Sequence, residues 1–292
     1  MNTVLSYCLF EPLHMHPHRT WDANRFEEER YWYNIPSLVI ANSILYPKFK
    51  NRFYLSDGMQ KHPVFSLLQY ITDVHLIKKS YTNTSEPMLW RMMPLWDPTV
   101  DCFFTRDVDS VPNRQEAQST LYFHESNFFI QTIRSHENHY HEQGCDMLGG
   151  LSGFKPKHIP NLPTSFDEYY TRRMNIPWAQ DQYLMVETFI NSVGTEFTGE
   201  YFLDCPIDKQ NRSAVFNCVE VDKKHLNNIK FNDEQNKLLD IIEKYSISTW
   251  AGEPCDARGD ILREFMDLDN TMSRKIKKYF SNNEDIANFY KV

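Results

Sequence analysis

"FFTRDVDSVPNRQE", Phe103 to Glu116, ends an apolar run on two aspartates one residue apart. In an extended strand Asp107 and Asp109 project from the same face. Two carboxylates that close repel, unless a cation sits between them or one takes up a proton. Ahead of them "PMLWRMMPLWDPTV" reads as a short helix leading into the strand "DCFFTRD". Ligands of open α/β sheets bind beyond the carboxyl ends of strands, and the aspartates stand at such an end.

Near the N-terminus "TVLSYCLF" is a short β-rich run that reads as the first strand, followed by a long polar loop punctuated by Pro12 and Pro17. "YWYNIPSLVIANSILYPKF" reads as a helix with Ile35, Leu38, Val39, Asn42 and Leu45 near one face and Pro47 as its stop. "NRFYLSDG" is a second strand closing at Asp57-Gly58, "HPVFSLLQYI" a helix and "DVHLIKK" a third strand. Such alternation marks a parallel α/β sheet. Downstream, "RQEAQSTLYFHES" is helical, "FFIQTIR" a strand, and "GCDMLGGLSGFKP" a glycine-rich strand and turn. "FDEYYTRRMN" and "AQDQYLMVETFINSV" read as helices, and "EYFLDCP" and "AVFNCVEVD" as closing strands. From about Phe231 the composition turns helical and charged. We therefore expect an α/β, Rossmann-type domain over 1–230, with a mixed, mostly parallel central sheet. A C-terminal helical extension over 231–292 packs on it.

The 292 residues are 41% hydrophobic and 14% aromatic, enough for a substantial core, and the 9 glycines form no low-complexity run. A net charge of −8 disfavours a duplex-wrapping protein. The densest basic stretches are "RRM" at Arg172 and "SRKIKKYF" from Ser273, the latter reading as a solvated amphipathic face. Six scattered cysteines without a CxxC read as reduced thiols of a cytosolic protein. "MNTVLSYCLF" has no positive leader, and no window reaches the roughly 18 apolar residues of a spanning helix. The expectation is a cytoplasmic protein without a membrane span.

A carboxylate pair at a strand end suits a hard divalent ion that keeps waters and accepts phosphate oxygens. The frame "PMLWRMMPLWDPTVDCFFTRDVDSVPNRQE" resembles the GT-A glycosyltransferases that use a DxD motif, in particular their bacterial and viral members. The similarity continues in "IRSHENHYHEQGCDMLGGLSG" and "AQDQYLM", and covers roughly residues 3 to 190. It implies transfer of a sugar from a nucleotide-sugar donor, with UDP the commonest nucleotide, to a hydroxyl on a glycan, lipid-linked sugar, protein or modified base. DNA fits the acidic charge least. It also implies that Mn2+ or Mg2+ is ligated directly by Asp109, with Asp107 helping through the ribose or a metal-bound water.

The same resemblance implies roles for other residues. Arg106, Arg91 and Arg134 pair with phosphate or form structural salt bridges, and Arg106 could instead pair with Asp107. Gly149 and Gly150 admit a ligand close to the backbone or form a bulge. Asp181 is a base, a sugar-hydroxyl ligand or a helix cap, and Gln182 lines the anomeric centre. That pair favours retention of configuration. Relatives often add a histidine ligand late in the domain. Here the only histidine after Asp181 is His225, and Glu253 and Asp256 are the nearby acids, so the third protein ligand is open and water can take the place. His14, His16 and His18 fit an extended loop over the nucleotide or a solvated one, and His136, His139 and His141 read similarly.

Two other classes compete. "DVDSV" fits the nucleophile motif of haloacid-dehalogenase-type phosphohydrolases, although Thr105 and Arg106 stand between the apolar run and the first aspartate. A degenerate transferase domain kept as a nucleotide-sugar-binding module is the non-enzymatic alternative.

Overall fold

The computed structural model describes residues 1–10, 31–78, 85–133, 147, 149–159, 162–171, 182, 185, 201–203, 218–220, 226–246 and 258–292. In chain order the elements are β1 (Thr3–Leu9), α1 (Ile35–Leu45), β2 (Lys50–Ser56), a 3-10 turn (Asp57–Lys61), α2 (Phe65–Ile71) and β3 (Asp73–Ile77). Next come α3 (Ser85–Leu89), continued by a 3-10 helix (Trp90–Trp96), then β4 (Cys102–Arg106), α4 (Arg114–Glu125), β5 (Ile130–Thr132) and β6 (Leu151–Phe154). A 3-10 turn (Pro156–His158), α5 (Phe166–Thr171), β7 (Tyr201–Leu203) and β8 (Cys218–Glu220) follow. The chain closes with α6 (Asp233–Tyr245), α7 (Arg258–Met266), α8 (Thr271–Ser281) and α9 (Glu284–Tyr290).

The strands form one sheet in the order β3-β2-β1-β4-β6-β5-β7-β8. Every neighbouring pair is parallel except those of β6, which runs antiparallel to β4 and β5. The protein is therefore an α/β fold with a mixed, mostly parallel sheet and C-terminal helices. From β1 the chain moves outward through β2 to β3, then returns to the other side of β1 as β4. That reversal makes the crevice beyond the carboxyl ends of β1 and β4 a topological switch point, where open α/β sheets take ligands.

Alternation along the central strands feeds two separate cores. Leu5, Tyr7 and Leu9 of β1 and Phe104 of β4 join one cluster with α1, α2 and α4, while Val4 and Phe103 join the other with Leu89, Met92, Phe154 and Tyr169. Strands covered on both faces read as continuous apolar runs, which is why "TVLSYCL" shows no polar alternation.

Helix α1 departs from the one-sided face expected of it: ten of its residues, Pro36, Ser37 and Asn42 among them, are buried. It lies between the sheet and α6, α7 and α8, whose Leu238, Ile242, Ile261, Phe265 and Ile276 belong to the same core as β1. A helix covered all round must be apolar all round. Its last carbonyls, Ile44 and Leu45, accept from Nε2 of Gln235 at 3.2 and 3.3 Å. Gln235 is also the third residue of a capping box with Asn232 that starts α6. The basic α8 is amphipathic as expected, burying Ser273, Ile276 and Phe280 while Arg274 and Lys277 pair outward with Asp269 and Asp267. Among the described residues no helix is long and apolar enough to cross a membrane.

Candidate functional site

Strand β4 ends at Arg106, and the acidic pair lies on the turn beyond it. The strand-type alternation expected for Asp107 and Asp109 therefore does not hold. Asp107 keeps 44% of its side chain exposed, whereas Asp109 is 7% exposed. Between them Val108 is buried in the core and its carbonyl accepts from Nδ2 of Asn34 at 2.7 Å. The hydroxyl of Ser110 closes the turn on the Asp107 carbonyl at 3.4 Å.

The β4–β6 register pairs Thr105 with Ser152 and Arg106 with Leu151. Extended by one residue, it sets Asp107 opposite Gly150. A Cβ on Gly150 would overlap the Asp107 carboxylate. The close approach that the Gly149-Gly150 pair permits is thus, at Gly150, the approach of Asp107. Gly149 is buried in the same turn.

On this face Nη1 of Arg91 sits 2.5 Å from Oδ1 of Asp107. Arg91 is 4% exposed, and its Nε donates to the Met88 carbonyl at 3.0 Å, so the guanidinium is fixed at both ends. A charge-assisted contact from a held arginine orients a carboxylate strongly.

Arg106 follows strand alternation to the opposite face. Its Nε lies 2.7 Å from Oε1 of Glu116, with side chains only 3% and 1% exposed. Nη2 donates to Oγ1 of Thr120 at 2.7 Å, and Nη1 to the carbonyls of Thr105 and Ser152 at 2.7 and 3.3 Å. The arginine beside Asp107 is therefore Arg91, and Arg106 is committed beneath the turn, joining β4, β6 and α4. Glu116 sits in the first turn of α4, whose cap is Asn113: Oδ1 accepts from the Glu116 amide at 2.9 Å. One residue after the cap, Arg114 reaches α6, bonding Asn236, Asp240 and Glu243 at 2.8 to 3.0 Å.

Sequence reasoning assigned no role to Asn34 or Glu116, among others. Glu116 closes the quoted stretch "FFTRDVDSVPNRQE", and a Glu three places after an Asn cap is the available signal. Asn34 carried none.

Gln182 lies in a helical turn and is half-buried. Asp181, Arg134, the histidines at 14, 16, 18, 136, 139 and 141, His225, Glu253 and Asp256 lie outside the described residues. Among the described residues no group of three or more His, Cys, Asp or Glu side chains converges as a metal cage. Neither Cys8 nor Cys102 forms a disulfide, and burial pushes Cys102 up to about 12, which keeps it protonated.

The arrangement sets one half-exposed and one buried carboxylate, a fixed guanidinium and a glycine packed against the Asp107 carboxylate at the switch point. The chain matches no known protein family and no curated protein.

Proposed function

We propose that the chain is a GT-A type, metal-dependent glycosyltransferase that moves a sugar from a nucleotide-sugar donor, a UDP-sugar in the first instance, to a hydroxyl acceptor. The observation that carries the reading is Asp107 at the carboxyl end of β4, beside the β1–β4 switch point, seated against Gly150. Asp109 and Asp107 would supply two carboxylates to a hard divalent ion, a class of ion that keeps several waters and accepts phosphate oxygens. Such an ion, when bound, offsets the charge on the departing diphosphate.

The chain's own residues do the rest. Arg91 holds Oδ1 of Asp107 and adds a positive charge beside the phosphates. Arg106 and Glu116 support the turn from below. Gln182 is assigned to line the anomeric centre, and Asp181 to hold sugar hydroxyls or act as a base. Their order favours retention. The test is a screen of nucleotide sugars for metal-dependent hydrolysis or transfer, with the product's anomeric configuration read by NMR. Turnover of one donor with retained configuration is expected; no donor bound or turned over defeats the reading.

One observation favours a second reading. Thr105 and Arg106 are strand residues, so β4 runs directly into Asp107, as a haloacid-dehalogenase-type phosphohydrolase requires. The Arg91 contact weighs the other way, because a guanidinium on Oδ1 draws charge from the oxygen pair a nucleophile would use. Hydrolysis of a generic phosphomonoester separates the two. A binding module without turnover would show Mn2+-dependent nucleoside diphosphate binding and no product.

A further inference from the structure

We infer that Asn34 is a positioning residue for the Asp107–Val108–Asp109 turn, and that the C-terminal helix α9 sets the place of Asn34. Asn34 stands at the cap position of α1, where its carbonyl accepts from the Leu38 amide at 2.9 Å. An asparagine there ordinarily turns its side chain on the next amides. Here Pro36 has no N–H to offer, and no cap bond from the side chain forms. The carboxamide instead donates its Nδ2 to the Val108 carbonyl at 2.7 Å, with both groups buried.

That bond acts on Asp109 through covalent geometry. The Val108 carbonyl and the Asp109 N–H and Cα lie in one rigid peptide plane. Fixing the oxygen fixes the plane, and with it the base from which the Asp109 side chain departs. Val108 itself is buried, so the turn is pinned at its middle residue by packing and by a hydrogen bond.

The segment carrying Asn34 is held from the other side by α9. The Tyr290 hydroxyl, on a side chain buried to 1% exposure, donates to the Trp32 carbonyl at 2.8 Å. Tyr33 stacks on Phe289 at 4.4 Å between ring centres and meets Tyr290 edge-on at 5.7 Å. Trp32 stacks on His62 at 4.1 Å, and His62 meets Phe289 edge-on at 5.6 Å. The path from Tyr290 to Trp32, Asn34 and Val108 is continuous, and neither Asn34 nor Tyr290 is among the acids or the glycine of the candidate site. The C-terminal helix thereby becomes part of the scaffold of that site.

The test is amide hydrogen exchange over residues 104–112 of the full-length, metal-free protein, with the β1 peptide as internal standard, in wild type, Asn34→Ala and Tyr290→Phe. We expect exchange at the turn to accelerate at least about tenfold relative to β1 in Asn34→Ala, and by less in Tyr290→Phe, because local opening is governed by local contacts. A purely global role would speed turn and strand together, and a turn that exchanges as in wild type in both variants would overturn the inference. A second arm rests on the metal reading above: Mn2+ titrated by calorimetry should bind Asn34→Ala about 10–100-fold more weakly, the usual loss when an outer support of a ligand is removed. If the wild type binds no Mn2+ while the turn still loosens, the positioning role stands and the metal reading falls. Where the wild type binds Mn2+, an equal affinity in Asn34→Ala would overturn the role.

Discussion

Gly150 and Asp107 face one another across β6 and β4, and the space filled by the Asp107 carboxylate is the space a Cβ on Gly150 would need. The Gly150 backbone is not in the left-handed region, so Gly150→Ala acts through this collision and not through strain. The carboxylate must swing off Arg91. Metal-dependent UDP binding should weaken about 10–100-fold, as for loss of an outer support. Calorimetry with UDP and Mn2+ reads this, and wild-type affinity in the variant would show that Asp107 is not held where binding occurs.

The Arg106–Glu116 pair is a stability element. Both side chains are almost fully buried, so removing one partner strands the other charge, at a cost of about 3–5 kcal/mol. Glu116→Ala should show a loss of this size in urea denaturation. The double variant Arg106→Met with Glu116→Leu should lose clearly less than the two single losses added together. Additive losses would mean that the two residues do not act as a pair.

Arg114 is the exposed counterpart. Its contacts to Asp240 and Glu243 involve partners 71% and 51% exposed, and such pairs contribute under about 1 kcal/mol. Arg114→Ala should therefore leave the denaturation midpoint nearly unchanged, and the small loss should shrink further at high salt. A loss comparable to that of Glu116→Ala would contradict this.

Stability should fall below neutral pH. Burial lowers His62, stacked on Trp32, to about 4, and burial followed by the nearby Lys155 charge lowers His124. A histidine depressed in the folded state leaves the unfolded chain binding more protons, so stability is full above about pH 6.5 and declines as the pH drops from there toward 4. Each such histidine contributes a slope of at most about 1.4 kcal/mol per pH unit. His62→Phe keeps the stack and should flatten the profile between pH 6.5 and 4. An unchanged slope would show that His62 is free to protonate in the fold.

Much of the fold was legible because it is local. Strand and helix periods located β1 to β4, α2 and α4, and the Asp57-Gly58 turn ended β2 as expected. Helix α1 was legible as a helix but not as a fully enclosed one, since its cover comes from residues some two hundred positions away; the run "IPSLVIANSIL" was itself the clue. At the site the acids, Arg91 and Gly150 were nameable, but their mutual arrangement was not. The Asp107–Gly150 approach depends on an antiparallel register across more than forty residues, and Arg106 and Asp107 part company only because the strand carries them to opposite faces. Asn34 was invisible because its use depends on a neighbouring proline and a distant carbonyl.

On the proposed function, the turn at Asp107 and Asp109 takes a divalent ion and a diphosphate together, so the two ligands must bind cooperatively. The most direct measurement is the UDP affinity by calorimetry with and without Mn2+, for wild type and Asp109→Ala. We predict that Mn2+ strengthens UDP binding in the wild type by tenfold or more, a coupling of about 1.4 kcal/mol, and has no effect in Asp109→Ala. UDP affinity that ignores Mn2+ in the wild type, or that responds to it equally in Asp109→Ala, would contradict the claim.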